Sequence, residues 1–253
     1  MYIVRFLSFI FLFNFCVLNG FSQHSDGMST NLPNFYKTRI HFGFTISGNF
    51  TDFRIHTVKN SSFPDTVIDA TRYQIKSVYT QGQAGFALGI VADLRIHEYL
   101  RLRFTPNISF ASRSLQYTMQ NSTHDSTKVF TKIVESTFLI FPLELKLQSK
   151  RMGNFSAYVI GGGGLALDLA SNKRTGSVGD GNQLDDAVKI KREDYFYSAG
   201  GGVDFYLPFF KLGLEIKILN GTNNLLYKEN SIFTKSVDKV NSQMVVFSIT
   251  FEG

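Results

Sequence analysis

The run Gly161, Gly162, Gly163 and Gly164 is the first place where this sequence invites a chemical reading. Consecutive glycines can wrap backbone N–H groups around a phosphate when Gly-Lys-Ser/Thr follows and a helix begins there. Here Leu165, Ala166 and Leu167 follow and the flanks alternate like strands, so the glycines read as a bend or a tight contact. His24, His41, His56, His97 and His124 show no metal-ligand spacing, and His97-Glu98 has no second histidine three residues on. Asp180, Asp185 and Asp186 form an acidic loop without a calcium-loop pattern. The single cysteine, Cys16, lies in an apolar N-terminal run behind Phe15, where a lipid-attachment signal wants a small residue. A mature chain without cysteine has neither disulfides nor thiol catalysis. No histidine falls on the apolar parity of any segment described next, so a nucleophile–base pair facing lipid is not expected either. These residues imply no catalytic, cofactor-binding or metal site, no small-molecule substrate, and no enzyme.

The elements that would position any such group alternate with period two. In "TRIHFGFTISGNF", Ile40, Phe42, Phe44 and Ile46 oppose Arg39, His41, Thr45 and Ser47. In "GFALGIVADLRI", Phe86, Leu88, Ile90, Ala92 and Leu94 oppose Gly89, Asp93 and Arg95. "LRLRFTPNISFASR" sets Leu100, Leu102, Phe104, Ile108 and Phe110 against Arg101, Arg103, Thr105, Asn107 and Arg113. In "IVESTFLIFPLELKL", the apolar set at 139–147 opposes Glu144 and Lys146. Four further segments, near 155–170, 194–207, 210–218 and 243–252, carry Asp168, Asp204, Lys211, Glu215 and Lys217 on the polar side.

The connections follow a rule. Stretches at 51–81, 114–127, 171–193 and 220–242 are long and polar; those near His97-Glu98, 149–154 and Pro208-Phe209 are short. Strict long–short alternation suits an outer-membrane barrel, with short turns in the periplasm and longer loops outside. Closure follows because lipid offers no partner to an open strand edge. The expected fold is all-β: an eight-stranded antiparallel transmembrane β-barrel spanning 38–253, preceded by a signal peptide at 1–22 and a short periplasmic tail at 23–37. The signal reading rests on Arg5, the apolar run at 6–18, and small residues at 20 and 22 before cleavage at Gln23.

With 26 Phe, 21 Gly, five Pro and no Trp, the composition fits this fold. A charge facing lipid costs about 2–4 kcal/mol at the midplane. The strand charges fall instead on the polar parity, except Glu135, which lies near the outer end of its segment. An eight-stranded interior is just wide enough for side chains. The inward charges therefore read as a packed ionic plug, with an ion or proton path as the rival. The net charge of +6 is not concentrated in long Lys/Arg runs. Contact with outer-membrane lipid and acidic lipopolysaccharide fits this better than nucleic acid. The patches Gly161 to Gly164 and Gly200 to Gly202 are expected side by side, as a smooth wall for a helix or another barrel.

Several stretches resemble one family. "RIHFGFTISGNF", "LRFTPNISF", "FPLELKLQSKR" with the following Asn154 and "AYVIGGG", and "YFYSAGGGVDFYLPFFKLGLEIK" are similar to the PorT family of outer-membrane barrels from Bacteroidota. The likeness runs from about Asn31 to the C-terminus, and the loops are its least similar parts. It implies a non-catalytic role in type IX secretion, linked in some members to gliding, with other secretion proteins as partners. The alternative is a general small outer-membrane barrel, an adhesin or a membrane-stabilising protein, binding through its outer loops. A soluble ligand carrier is a third class; it would turn the apolar face inward.

Overall fold

The computed structural model describes residues 30–57, 65–68, 71–121, 127–170, 191–226 and 237–253. The expected signal peptide, Cys16, His24, His124 and the acidic trio Asp180, Asp185 and Asp186 lie outside them. The compact unit Asn31–Gly253 is the one considered below.

The alternating segments form antiparallel strands: β1 (Ile40–Thr57), β2 (Asp65–Ile68), β3 (Thr71–Arg95), β4 (Leu100–Phe104), β5 (Asn107–Asn121), β6 (Thr127–Gln148), β7 (Phe155–Asp168), β8 (Glu193–Tyr206), β9 (Lys211–Gly221) and β10 (Val237–Glu252). Each pairs with its neighbours, and β1 pairs with both β3 and β10, which closes the ring. β4 and β5 occupy one place in the wall between β3 and β6. The ring therefore has eight members, with β2 a short hairpin partner of β3. The break between β4 and β5 falls at Thr105-Pro106, because proline has no N–H for the ladder. The Pro106 carbonyl still accepts from Ile90 N at 3.1 Å.

Register fixes which face meets lipid. Phe44 sits opposite Ile90 on one side and Phe251 on the other. Phe42, Leu88, Leu143 and Phe247 are 68, 51, 52 and 58 % exposed, all outward. An inward apolar core of the soluble-carrier kind would have buried all four. The band runs about ten residues along each strand, which spans roughly 25 Å once the strands tilt. Tyr195 and Tyr197 border it at one rim, and Tyr99 and Phe209 at the other.

The three short turns lie at 96–99, 149–154 and 207–210, as expected. In the second, Gly153 adopts φ +59°, the left-handed conformation that suits glycine. The connections expected at 51–81 and 114–127 are corrected. Most of their residues continue the strands: β1 reaches Thr57, β3 begins at Thr71, β5 reaches Asn121 and β6 begins at Thr127. Likewise β10 begins at Val237, inside the stretch expected as loop.

Beyond the band the wall divides. The β1–β3 ladder stops at Thr51 opposite Gln83, while β1 stays paired with β10 as far as Thr57. β3 continues on β5 and β2, and β5 on β6. Between the ribbon and this sheet lies an apolar core of Phe53, Ile75, Val78, Leu115, Tyr117, Met119, Val237 and Val240, with Leu225 and Leu226 tucked in from the segment after β9.

Part of the segment expected as a tail is built into the end of the barrel. Phe35–Lys37 forms a 3-10 turn with Phe35 buried at the short-turn end of the barrel.

Candidate functional site

The interior is built in layers, each set by the inward parity of the strands. At the short-turn end, Phe35 stacks on His41 with centroids 3.7 Å apart and planes 7° apart. It also meets Tyr206 edge-on. The Tyr36 and Tyr206 hydroxyls are 2.6 Å apart. Burial, then the Tyr206 hydroxyl, pushes the Tyr36 phenol well above the usual range, so it stays protonated. Asn31 is tied down by its N–H to Asn154 Oδ1 at 2.9 Å, its side-chain amide to Tyr206 O at 3.0 Å, and Arg151 donating to its carbonyl.

Above this plug lies the ionic layer. Arg103 reaches Asp93 at 3.0 Å, Glu252 at 2.7 Å and Glu215 at 3.3 Å. Arg101 holds the second Asp93 oxygen at 3.3 Å. Lys146 meets Asp204 at 2.7 Å, and Lys211 bridges Glu252 at 2.6 Å and Asp204 at 3.8 Å. Lys217 spans Glu144 at 2.8 Å and Glu215 at 3.0 Å. Five cations thus face five carboxylates, all buried. Ser198 Oγ donates to Glu144 and Tyr158 Oη to Glu215, occupying lone pairs the cations leave free. Such bonds offset part of the cost of burying charge, while Arg101 Nε and Nη2 and Asp204 Oδ1 find no hydrogen-bond partner among the described residues.

The next level is a hydroxyl-lined cavity of about 30 Å³ near Thr45, Ser47, Thr105 and Thr250. It has room for about one or two water molecules. An apolar belt closes over it: Ala111, Phe138, Ile140, Phe196, Leu219, Met244 and Val246. The Arg113 guanidinium lies 4.1 Å from the Phe53 ring centroid and 4.9 Å from that of Phe138, and it donates to Ser136 and Ser242. The apolar core described above caps the far end. Stoppers of three kinds, aromatic, ionic and aliphatic, lie in series along the axis. The described interior is a plug, and the ion-path alternative finds only the small cavity.

Of the charges expected inward, Asp93, Arg101, Arg103, Glu144, Lys146, Asp168, Asp204, Lys211, Glu215 and Lys217 are buried. Arg95 is half-buried, whereas Arg39 precedes β1 and is exposed, which corrects its placement. Glu135 is exposed, as its parity requires. Glu252 belongs to the cluster yet was not among the expected acids; its signal was its place one residue after outward Phe251. Among the described residues, no group of three or more His, Cys, Asp or Glu is placed to hold a metal ion.

The two glycine patches are neighbours: Gly161 lies opposite Ala199, and Gly201 opposite Val159. A Cβ at Gly162 would strike the backbone of Leu143 and Glu144, and one at Gly202 the Tyr158 ring. Glycine there permits close approach, which is the bend reading. On the lipid side, Gly48 and Gly201 floor an apolar groove walled by Ile46, Leu214, Ile216 and Phe247.

The geometry agrees with what the chain is similar to. Residues 21–227 match the family model described as "Outer membrane protein beta-barrel domain". Among solved structures, OprG from Pseudomonas aeruginosa is similar at 13% identity, over 85% of this chain and 95% of that one, with a TM-score of 0.40. Neisserial surface protein A follows at 13% identity, over 83% and 96%, TM-score 0.39. The outer membrane protease OmpT from Escherichia coli is similar at 11% identity, over 90% and 98%, TM-score 0.37. No curated protein matches the chain. With a family match over most of its length, an outward apolar band and a closed eight-membered wall, this chain belongs to the outer-membrane protein β-barrel domain family and resides in the bacterial outer membrane.

Proposed function

We propose that this barrel is a non-catalytic accessory of type IX protein secretion, acting in scaffolding or assembly of the export apparatus. The observation that carries the reading is the filled interior. A lumen closed by Phe35, ten paired charges and an apolar belt has no room for a passing polypeptide. A part in export is then exerted through the outer surface and the rims, where other secretion proteins and lipopolysaccharide make contact. The similarity of "LRFTPNISF" and the "FPLELKLQSKR" stretch to PorT-type barrels supports the choice of system.

The test is deletion of the gene, followed by measurement of type IX cargo outside the cell. Loss of export, restored by the intact gene, is expected; normal export overturns the proposal. The strand extension beyond the bilayer favours a second reading, an adhesin-like barrel. Shortening β3 and β5 at that rim separates the two. The adhesin reading predicts lost binding with export intact.

A further inference from the structure

Beyond the lipid band, the outward face of β3, β5 and β6 changes character. Leu115, Tyr117 and Met119 turn inward, so Gln116 and Thr118 turn outward. Tyr79, Gln116 and Thr131 stand in one row across the three strands, with Gln81 one step nearer the bilayer. Tyr79 is 60 % exposed. The Gln116 amide donates to Gln81 Oε1 at 2.5 Å, and Lys76 Nζ to Gln74 Oε1 at 2.8 Å. Lys76 is the sole charge among the described side chains between 74 and 83, 114 and 120, and on β6 above Glu135. Among the described residues, this face above Glu135 thus presents amides, hydroxyls and a phenol with one lysine.

Amides and hydroxyls both donate and accept, which matches the hydroxyls of a sugar. An exposed phenol ring adds a flat apolar surface with a polar tip. Three strands about 4.8 Å apart and about eight residues tall give a face of roughly 10 by 25 Å. The face is continuous with the lipid contact: Phe86 and Phe110, 4.9 Å apart, lie directly beneath it in the outward band. It therefore stands in the layer just outside the hydrocarbon, on the rim opposite the short turns, which faces outward in such barrels. At roughly 25 Å tall, the face reaches past the charged inner sugars of the membrane's own glycolipid towards the neutral ones beyond them.

We propose that this face docks the uncharged part of the sugar chain of lipopolysaccharide in the surrounding outer leaflet. The inference rests on the outer-membrane location and is independent of any part in secretion.

The test uses the full chain, purified in detergent and immobilised. Four probes are passed over it: lipopolysaccharide from the same membrane with its full sugar chain, the same molecule truncated to its charged core, neutral dextran, and heparin. Full-length lipopolysaccharide is expected to bind at least tenfold more tightly than the truncated form. Tyr79→Ala combined with Gln116→Ala is expected to abolish that difference without changing capture of the truncated form, whereas Tyr79→Phe retains it. The heat-dependent gel mobility of each variant reports whether the barrel has folded. Equal binding of the long and short forms, or a double variant that behaves like the parent, overturns the proposal. Dextran bound as tightly as the membrane's own glycan would make the partner a free glycan and overturn the assignment of source. Preferential heparin binding would overturn the neutral chemistry.

Discussion

Arg103→Met tests whether the ionic layer is one connected structure. Arg103 alone touches three carboxylates, on β3, β9 and β10. Removing it leaves four cations against five carboxylates in a fully buried setting. Breaking one side of a buried pair costs about 3–5 kcal/mol, because a charge is left uncompensated. With a slope of about 2 kcal/mol per molar urea, the midpoint should fall by about 1.5–2.5 M. The assay is urea titration of the protein in liposomes, read by the gel-mobility difference between folded and unfolded barrel. The decisive comparison is Arg103→Met with Glu252→Gln, which restores charge balance in a shape close to the original. The double variant should recover more than half of the loss, a coupling that independent sites do not show. If the single variant is as stable as the parent, or the double is no better than the single, the layer is a set of separable pairs and the reasoning fails.

Leu143→Arg puts a charge on the exposed face of β6 within the apolar band, at a cost of about 2–4 kcal/mol in the same titration, whereas Glu135→Arg near the rim should cost about 0–1 kcal/mol. Gly162→Val should block folding, because its Cβ meets the Leu143 backbone, while Gly48→Ala, with open space around it, should leave the urea midpoint unchanged. In planar bilayers the parent protein should show no stepwise ion conductance, since its mid-lumen cavity is only about 30 Å³; large regular steps would refute the sealed interior. Phe35→Ala should expose residues 31–37 to added protease in detergent, with cleavage mapped by mass spectrometry; unchanged protection would mean that Asn31 and Tyr36 hold the segment alone.

Within the bilayer the wall was legible because two solvents impose one rule: oily outward and polar inward. Phe42 against His41, or Leu145 against Lys146, is that rule in single residues. Outside the bilayer the rule reverses while the parity stays the same. On β5 the inward positions pass from Ser109 to Ala111 and Arg113, then to Leu115, Tyr117 and Met119. "LQYTMQ" is a strict alternation, but its polar members face water, so a reading tuned to lipid takes it for a loop. The apolar belt was missed for a related reason. Phe138, Ile140 and Val246 each have an outward apolar neighbour, so both faces are oily and the period-two contrast vanishes. Phe35 carried no periodic signal, because a single ring that stoppers a barrel is specified by the cavity it enters. The interior charges were legible as a set. Their pairing was not, since Arg103 and Glu252 are brought together only by ring closure.

The closing joint has a consequence for how the chain is made. β1 finds its partner in the last strand, through fifteen residue pairs from Gly43 with Glu252 to Thr57 with Val237. His41 Nδ1 even lies 3.3 Å from the carbonyl of Gly253. No amount of early synthesis can supply that partner. The first hairpins must wait, with unsatisfied edges, until the final residues arrive. Contacts this distant in sequence are slow to form and leave the waiting chain prone to aggregation. Closure of the ring therefore has to follow synthesis of β10, whatever hairpins have formed before it.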